Sequence, residues 1–333
     1  MSRVRRQRRP PVVYVSWSSV AGRSQEIAAT LGGEAKTIFY AWGTWHWLVP
    51  LRYAISCLHT LLFLLRARPR SIIATLPPVF PGLVAYLYAL LARVPLVLDS
   101  HPSSFGLKGN KTSQRLLPVH RWLIRRASAT MVTTPDWTRV VEEWGGHGIV
   151  VHEAPPSVDC EPPPPLGGRP RILYVGVFSS DEPVEAVVEA ARELQDADLW
   201  VTGRLRRAPK ALLAAAPPNV CFAGYLGPLA YRRAIAEANV VVALTTEPTS
   251  IMRAAYEAVY ARRPLVVSDW PRLRESFPFG VYVANDASSI SRGIRCALHA
   301  YERLVAQTTQ AHEEQERRWW SQHGALRESL GLV

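Results

Sequence analysis

The sequence has little cysteine, and its four residues, Cys57, Cys160, Cys221 and Cys296, lie far apart with no CxxC pair. That spacing argues against a zinc ribbon or a disulfide framework and favours a reducing compartment. After the first charged residues there is no apolar stretch of the kind a secretory signal carries, so no such signal is expected. An uninterrupted membrane span is missing too. Only Trp47 to Leu65 approaches the length, and Pro50, Arg52 and His59 break it. No RNA- or DNA-binding motif accompanies the basic residues, so no nucleic-acid partner is expected. With 48% apolar and 20% charged residues, the chain is globular rather than disordered.

What is present is length and uneven charge. A chain of 333 residues suits two domains. The net charge is +12, of which Arg3, Arg5, Arg6, Arg8 and Arg9 supply +5 and leave +7 for the rest. Residues 1–10 read as a basic tail that either touches anionic lipid or only solubilises the chain. Phe39, Tyr40, Trp42, Trp45 and Trp47 precede the apolar segment, and Arg66, Arg68 and Arg70 follow it. Aromatics and arginines flanking an apolar helix suit a monotopic contact with an anionic membrane surface. The alternative is a buried core helix.

From residue 11 the pattern alternates strand and helix. Strands are predicted at Val12–Trp17, Lys36–Tyr40, Ser71–Thr75, Pro95–Ser100, Thr130–Thr134 and Ile149–His152. Such alternation implies a parallel sheet flanked by helices. It stops at residues 155–170, PPSVDCEPPPPLGGRP, a linker that is neither helix nor central strand. Six more strands follow, at Ile172–Val177, Leu199–Thr202, Val220–Ala223, Val240–Thr245, Pro264–Ser268 and Val281–Ala284. The expected architecture is α/β, with two Rossmann-like domains (11–154 and 171–300) and a cleft between them. Residues 301–333 are expected as helices that pack back toward the first domain. Ligands of such sheets sit beyond the carboxyl ends of the strands.

The stretch from Val240 to Asp269 carries the sharpest chemistry. A buried strand feeds a polar loop with Thr249 and Ser250, and a helix is predicted from Ile251 to Ala261. On that helix Arg253 and Glu257 are four residues apart and share a face. A cation for phosphate and a carboxylate for hydroxyls, beside a helix N-terminus, suit a nucleotide sugar. Gly176 and Ser179 close the first strand of the second domain, where a glycine admits a phosphate and a hydroxyl bonds it.

These pieces resemble the GT-B glycosyltransferases, specifically family-4-like enzymes. The resemblance rests on ILYVGVFSSDEP (172–183), VTG (201–203), NVCFAGYL (219–226), AAYEAVYARRPLVVSDW (254–270), LPP (76–78) and LVLDSHPSSF (96–105). The last is similar to the Asp-x-His segment of lipid-linked-sugar mannosyltransferases. The resemblance implies transfer from a UDP- or GDP-sugar to an acceptor hydroxyl, with no cofactor and no metal. Positive charge then comes from the protein. It makes Glu257 the carboxylate that bonds the donor ribose. Eight residues earlier the family often has a second glutamate; here that position is Thr249, and Glu247 lies two residues further back. The Thr249 hydroxyl and the N–H groups of residues 249–251 are expected to stand in. Arg253 is assigned to the diphosphate. Among Arg204, Arg206, Arg207 and Lys210, the preferred diphosphate contacts are Arg204 and Lys210. Tyr225 lies where the family's backbone reads the base, and Gly22 and Arg23 where the opening loop faces the donor.

His101 stands at the Asp-x-His position, where an imidazole assists acceptor deprotonation or holds a phosphate or sugar oxygen. Asp99 orients His101 or is itself the base. The acceptor is expected to be lipid-linked or a cell-envelope glycan, and the enzyme peripheral at the cytoplasmic face of the inner membrane. A nucleotide-sugar 2-epimerase of the same fold, or an inactive scaffold subunit, is the alternative.

Overall fold

The computed structural model describes residues 9–18, 22–40, 48–106, 111–156 and 161–332. The Arg tail through residue 8, the loop 19–21, Trp42, Trp45 and Trp47, and the linker centre with Cys160 lie outside them. The chain forms two compact units, residues 1–154 with 318–333 and residues 155–317.

The first unit is built on a six-stranded sheet. Its strands are β1 (Val12–Ser16), β2 (Glu34–Thr37), β3 (Ser71–Leu76), β4 (Leu96–Ser100), β5 (Ala129–Val132) and β6 (Gly148–Val150), in the order β2-β1-β3-β4-β5-β6. Every pairing is parallel. Its helices are α1 (Gly22–Thr30), α2 (Val49–Ala67), α3 (Phe80–Ala92), α4 (Lys111–Arg115), α5 (Leu117–Ile124) and α6 (Pro135–Glu143). All residues of β1 and β4 are buried, as expected of strands covered on both faces. α4 and α5 meet at Leu116, with Pro118 in the first turn of α5, where it costs no hydrogen bond.

The second unit repeats the plan. Its strands are β7 (Arg171–Tyr174), β8 (Asp198–Thr202), β9 (Val220–Gly224), β10 (Val240–Ala243), β11 (Leu265–Ser268) and β12 (Val281–Val283). They pair in the order β12-β11-β10-β7-β8-β9, again all parallel. The helices are α7 (Val184–Ala190), α8 (Lys210–Ala215), α9 (Pro228–Glu237), α10 (Arg253–Tyr260), α11 (Pro271–Ser276), α12 (Ala287–His299) and α13 (Tyr301–Ser329). The strand order reverses direction between β7 and β10, so the loops leaving those two strands flank the switch point where such folds take ligands. Arg263, fully buried, donates to the carbonyls of Ile235, Ala261 and Ala236 and to those of Glu161 and Pro162, which ties the Pro-rich segment to this unit.

The last helix serves both units. Thr308 Oγ1 donates to the carbonyl of Arg262 in the second. Trp319, Leu326 and Leu330 lie in the core of the first, together with Val12, Ile27 and Ile149.

Candidate functional site

At the carboxyl end of β10 the chain is anchored through Thr245. Its N–H donates to Ser268 Oγ (2.9 Å), and its carbonyl accepts from Trp270 Nε1 (2.8 Å) and Asn285 Nδ2 (3.0 Å). From that root a turn forms over Glu247–Ser250, in which the Ser250 N–H donates to the Glu247 carbonyl and Thr249 Oγ1 donates to Glu247 Oε1 (3.0 Å). Two expectations change here. The helix begins at Arg253 rather than Ile251, because Met252 is still extended (ψ 130°). Residues 249–251 therefore precede it, and the Ser250 N–H is spent inside the turn. Glu247, which stands two residues before the anticipated carboxylate, holds its side chain against Thr249.

One turn into α10, Glu257 accepts from Tyr231 Oη and from Arg253 Nε (2.7 Å), with 18% of its side chain exposed. A carboxylate has about four acceptor positions, so two bonds leave room for two hydroxyls. Tyr231, on α9, carried no sequence signal for this role; it fixes the carboxylate from a neighbouring helix.

The loop leaving β7 closes on its own side chain. The N–H groups of Val177 (2.9 Å), Phe178 (2.8 Å) and Ser179 (3.3 Å) all donate to Glu182 Oε2. Phe178 takes left-handed backbone (φ 59°) to aim them. Burial pushes the Glu182 carboxyl above its ordinary value, against the lowering effect of these donors. Gly176 is needed for close approach, since a Cβ there would lie 2.8 Å from the Tyr174 ring and 2.9 Å from Glu182 Oε2. Its N–H donates to Thr202 Oγ1, and Ser179 Oγ donates to Asp181. Gly176 and Ser179 are thus occupied within the loop, and the anion held there is Glu182.

Arg204 follows β8 with its guanidinium 5.1 Å from the centre of the Tyr225 ring, which is itself exposed beyond the left-handed Gly224 (φ 72°). Lys210 is exposed at the start of α8, as are Arg206 and Arg207 just before it. The structure places Arg204 with Tyr225.

In the first unit, Asp99 and Arg23 lie in a buried polar knot. Tyr14 Oη donates to Asp99 Oδ2, and Arg23 Nε stands 3.5 Å from the same oxygen. Arg23 also donates to Glu153 Oε1 (2.8 Å) and to the carbonyls of Val151 (2.8 Å) and His152 (3.0 Å). Burial works against its charge, but Glu153, Asp99 and Tyr14 together raise its pKa. Burial, then Asp99, raises Tyr14. Arg23 is therefore turned inward among these partners, and Gly22 is half-buried as the first residue of α1. Asp99 is 2% exposed, so it cannot reach an acceptor proton. His101 can: its side chain is 41% exposed, and Nε2 lies 3.7 Å from Asp99 Oδ2. That separation exceeds a hydrogen bond, so His101 and Asp99 are neighbours rather than a bonded pair.

The turn carrying His101 rests on a second, buried histidine that sequence reasoning missed. His120 Nδ1 faces the Ser104 carbonyl (3.1 Å), and Nε2 faces Ser100 Oγ (3.0 Å). A carbonyl only accepts, so Nδ1 carries the proton and Nε2 accepts from the serine. Burial pushes His120 down to about 4, keeping it neutral.

Two doubly wound units in one chain, each gathering polar side chains at the carboxyl ends of its strands, define the GT-B class. Family models agree with that reading. The model described as glycosyl transferases group 1 matches residues 169–300, and the glycosyl transferase 4-like domain matches 39–156. The chain belongs to the group 1, family-4-like glycosyltransferases and is a glycosyltransferase.

Solved structures share the fold. HepE from Anabaena, in complex with UDP and glucose, is 14% identical with a TM-score of 0.72 over 97% of this chain and 100% of its own. Sucrose-phosphate synthase from Thermosynechococcus elongatus is 15% identical with a TM-score of 0.70 over 96% and 98%. A putative UDP-N-acetylglucosamine 2-epimerase from Listeria monocytogenes is 11% identical with a TM-score of 0.64 over 97% of each chain. None of the curated proteins matches the sequence.

Proposed function

We propose that this glycosyltransferase moves a sugar from a UDP- or GDP-sugar to a hydroxyl of a lipid-linked or envelope-glycan acceptor at the cytoplasmic face of the inner membrane. The observation that carries the donor half is Glu257. It is fixed by Tyr231 and Arg253 beside the switch point, with acceptor positions left for the ribose hydroxyls. Diphosphate charge falls to Arg253, Arg204 and Lys210, so that no metal is required. Glu247 and the Thr249 hydroxyl contact the transferred sugar, and the backbone at Tyr225 meets the base. HepE was solved with UDP and glucose, which favours a uridine donor.

On the acceptor side, His101 takes the acceptor proton or holds a sugar or phosphate oxygen, with Asp99 behind it. The exposure of the imidazole beside Asp99 is what makes it useful, since a base must sit within reach of the proton it removes. The epimerase alternative shares the fold but has no need of an acceptor.

A panel of UDP- and GDP-sugars read by thermal shift identifies the donor. Loss of the two ribose bonds in Glu257→Ala is expected to weaken that donor by about 3 kcal/mol, on the order of a hundredfold. Unchanged donor affinity in this variant would remove Glu257 from the site. Turnover that depends on added acceptor, without epimerised donor, separates transfer from epimerisation.

A further inference from the structure

Two helices of the first unit are packed inside out. In α2 the fully packed positions are Ser56, Thr60 and Leu64, and Thr60 is tied inward by the indole of Trp17, whose Nε1 donates to its Oγ1 (3.0 Å). The leucines of the same helix, Leu51, Leu58, Leu62 and Leu65, face outward and are 42–58% exposed. The neighbouring α3 buries Pro81, Gly82, Ala85, Tyr88 and Ala89, while Leu87, Leu90 and Leu91 stand 48%, 60% and 73% exposed. A helix of a protein surrounded only by water puts its leucines in and its small and polar residues out. Beside α3, the Tyr86 ring meets Trp122 of α5 edge-on at 4.9 Å, which extends the apolar face.

The charge around this face has one sign. From residue 35 to residue 135 the sequence holds 12 Lys and Arg and a single carboxylate, Asp99, which is buried. Arg66, Arg68 and Arg93 are exposed where α2 and α3 end, and Arg121, Arg125 and Arg126 are exposed on or just after α5. Arg126 lies over the Trp122 ring at 4.3 Å. The whole first unit has 21 Lys and Arg against 8 Asp and Glu, a net +13; the second has 18 against 19, a net −1. A second copy of this face is a poor partner, because it would set arginine rim against arginine rim with no exposed carboxylate between them.

We infer that the outward faces of α2 and α3, with Trp122, dock on an anionic bilayer surface, leucines in the acyl boundary and arginines on lipid phosphates. Lying in the interface, rather than crossing, follows from the tethering of α2 through Ser56 and Thr60 to the body of the unit. Long arginine side chains reach from the rim of an apolar patch to headgroups. This deepens the reading of a lipid-linked acceptor, since the docked unit is the one that carries His101. It does not depend on the donor, so failure here leaves the Glu257 assignment standing.

The test is flotation of the full chain with vesicles of mixed phosphatidylcholine and phosphatidylglycerol and with pure phosphatidylcholine. Wild type is expected to bind the mixed vesicles at least about tenfold more tightly than the neutral ones. Leu90→Glu with Leu91→Glu, and separately Leu58→Glu with Leu62→Glu, are expected to weaken that binding about tenfold or more with an unchanged melting temperature. These positions are exposed, so the variants fold, and the α3 pair alone decides if the α2 pair melts early. Undiminished vesicle binding by the α3 pair overturns the proposal. So does a wild-type dimer in light scattering that these substitutions convert to monomer, since a second copy would then cover the face.

Discussion

Both units bury carboxylates near the carboxyl ends of their strands, but they hold them in different ways. In the first, Asp99 and Glu153 are gathered by Arg23, with Tyr14 completing the set, and the four residues come from widely separated parts of the chain. In the second, Glu182 is held by the backbone N–H groups of Val177, Phe178 and Ser179, three to five residues away. The first arrangement is a tertiary lock that fixes the segment bearing His101 to β1, α1 and the chain after β6. The second is a local clamp, in which the bonds to Glu182 shape one loop. Among the described residues no cation pairs with Glu182, so burial governs its carboxyl, whereas mutual attraction offsets burial in the lock.

Acid should separate the two most strongly. His120 and His152 of the first unit are pushed down to about 4 and about 3, both chiefly by burial. Unfolded histidine titrates near pH 6.5. Below that, the unfolded state binds protons that the folded state refuses, so stability present above pH 6.5 is lost as pH falls toward the folded values. By pH 4 each histidine costs roughly 3 kcal/mol. Glu182 has the opposite sign: its raised pKa contributes stability at low pH that is lost as pH rises from the unfolded value near 4.5 through the folded one. Hydrogen exchange, corrected for intrinsic rates, is expected to show β4 and β6 losing protection between pH 6.5 and 4 before β7 and β10 do. Equal loss in both units would break the contrast.

Next in size is the lock itself. Arg23→Leu leaves Asp99 and Glu153 buried without their cation, and should cost about 3–5 kcal/mol in urea unfolding. Adding Glu153→Gln to that variant should recover part of the loss, because one of the two stranded charges is gone. A cost below about 1 kcal/mol for Arg23→Leu would mean that the lock does not hold the unit together.

Eleven of the twelve strands among the described residues were legible as short apolar runs between turn residues; β2, Glu-Ala-Lys-Thr at 34–37, was not, and the run expected at Lys36–Tyr40 overlaps it by two residues only. Parallel order followed from the helices between them. What escaped was anything set by tertiary partners. Arg23 reads as a cation at a loop, yet Glu153 lies 130 residues away and no local pattern joins them. Glu182 reads as one more surface acid until the left-handed Phe178 turns three N–H groups upon it. Glu257 and Arg253 were readable because both lie on one helix face, four residues apart; Tyr231, which holds Glu257 from α9, was not. The same limit applied to α2. Its composition showed an apolar helix, but only packing showed that Ser56 and Thr60 are inside and the leucines outside.

The smallest effect is expected at the clamp. Glu182→Gln keeps an oxygen for the loop N–H groups and removes the charge, losing charge-assisted bonds while relieving the burial of an anion. These oppose each other, so stability at pH 7 should change by no more than about 1–1.5 kcal/mol. The direction with pH is the sharper readout. Wild type gives up stability as Glu182 ionises, and the amide does not, so the difference should drift in favour of the variant as pH rises from 4 to 7. Paired thermal melts across that range measure the drift. A drift toward wild type would show the N–H groups outweighing burial at Glu182.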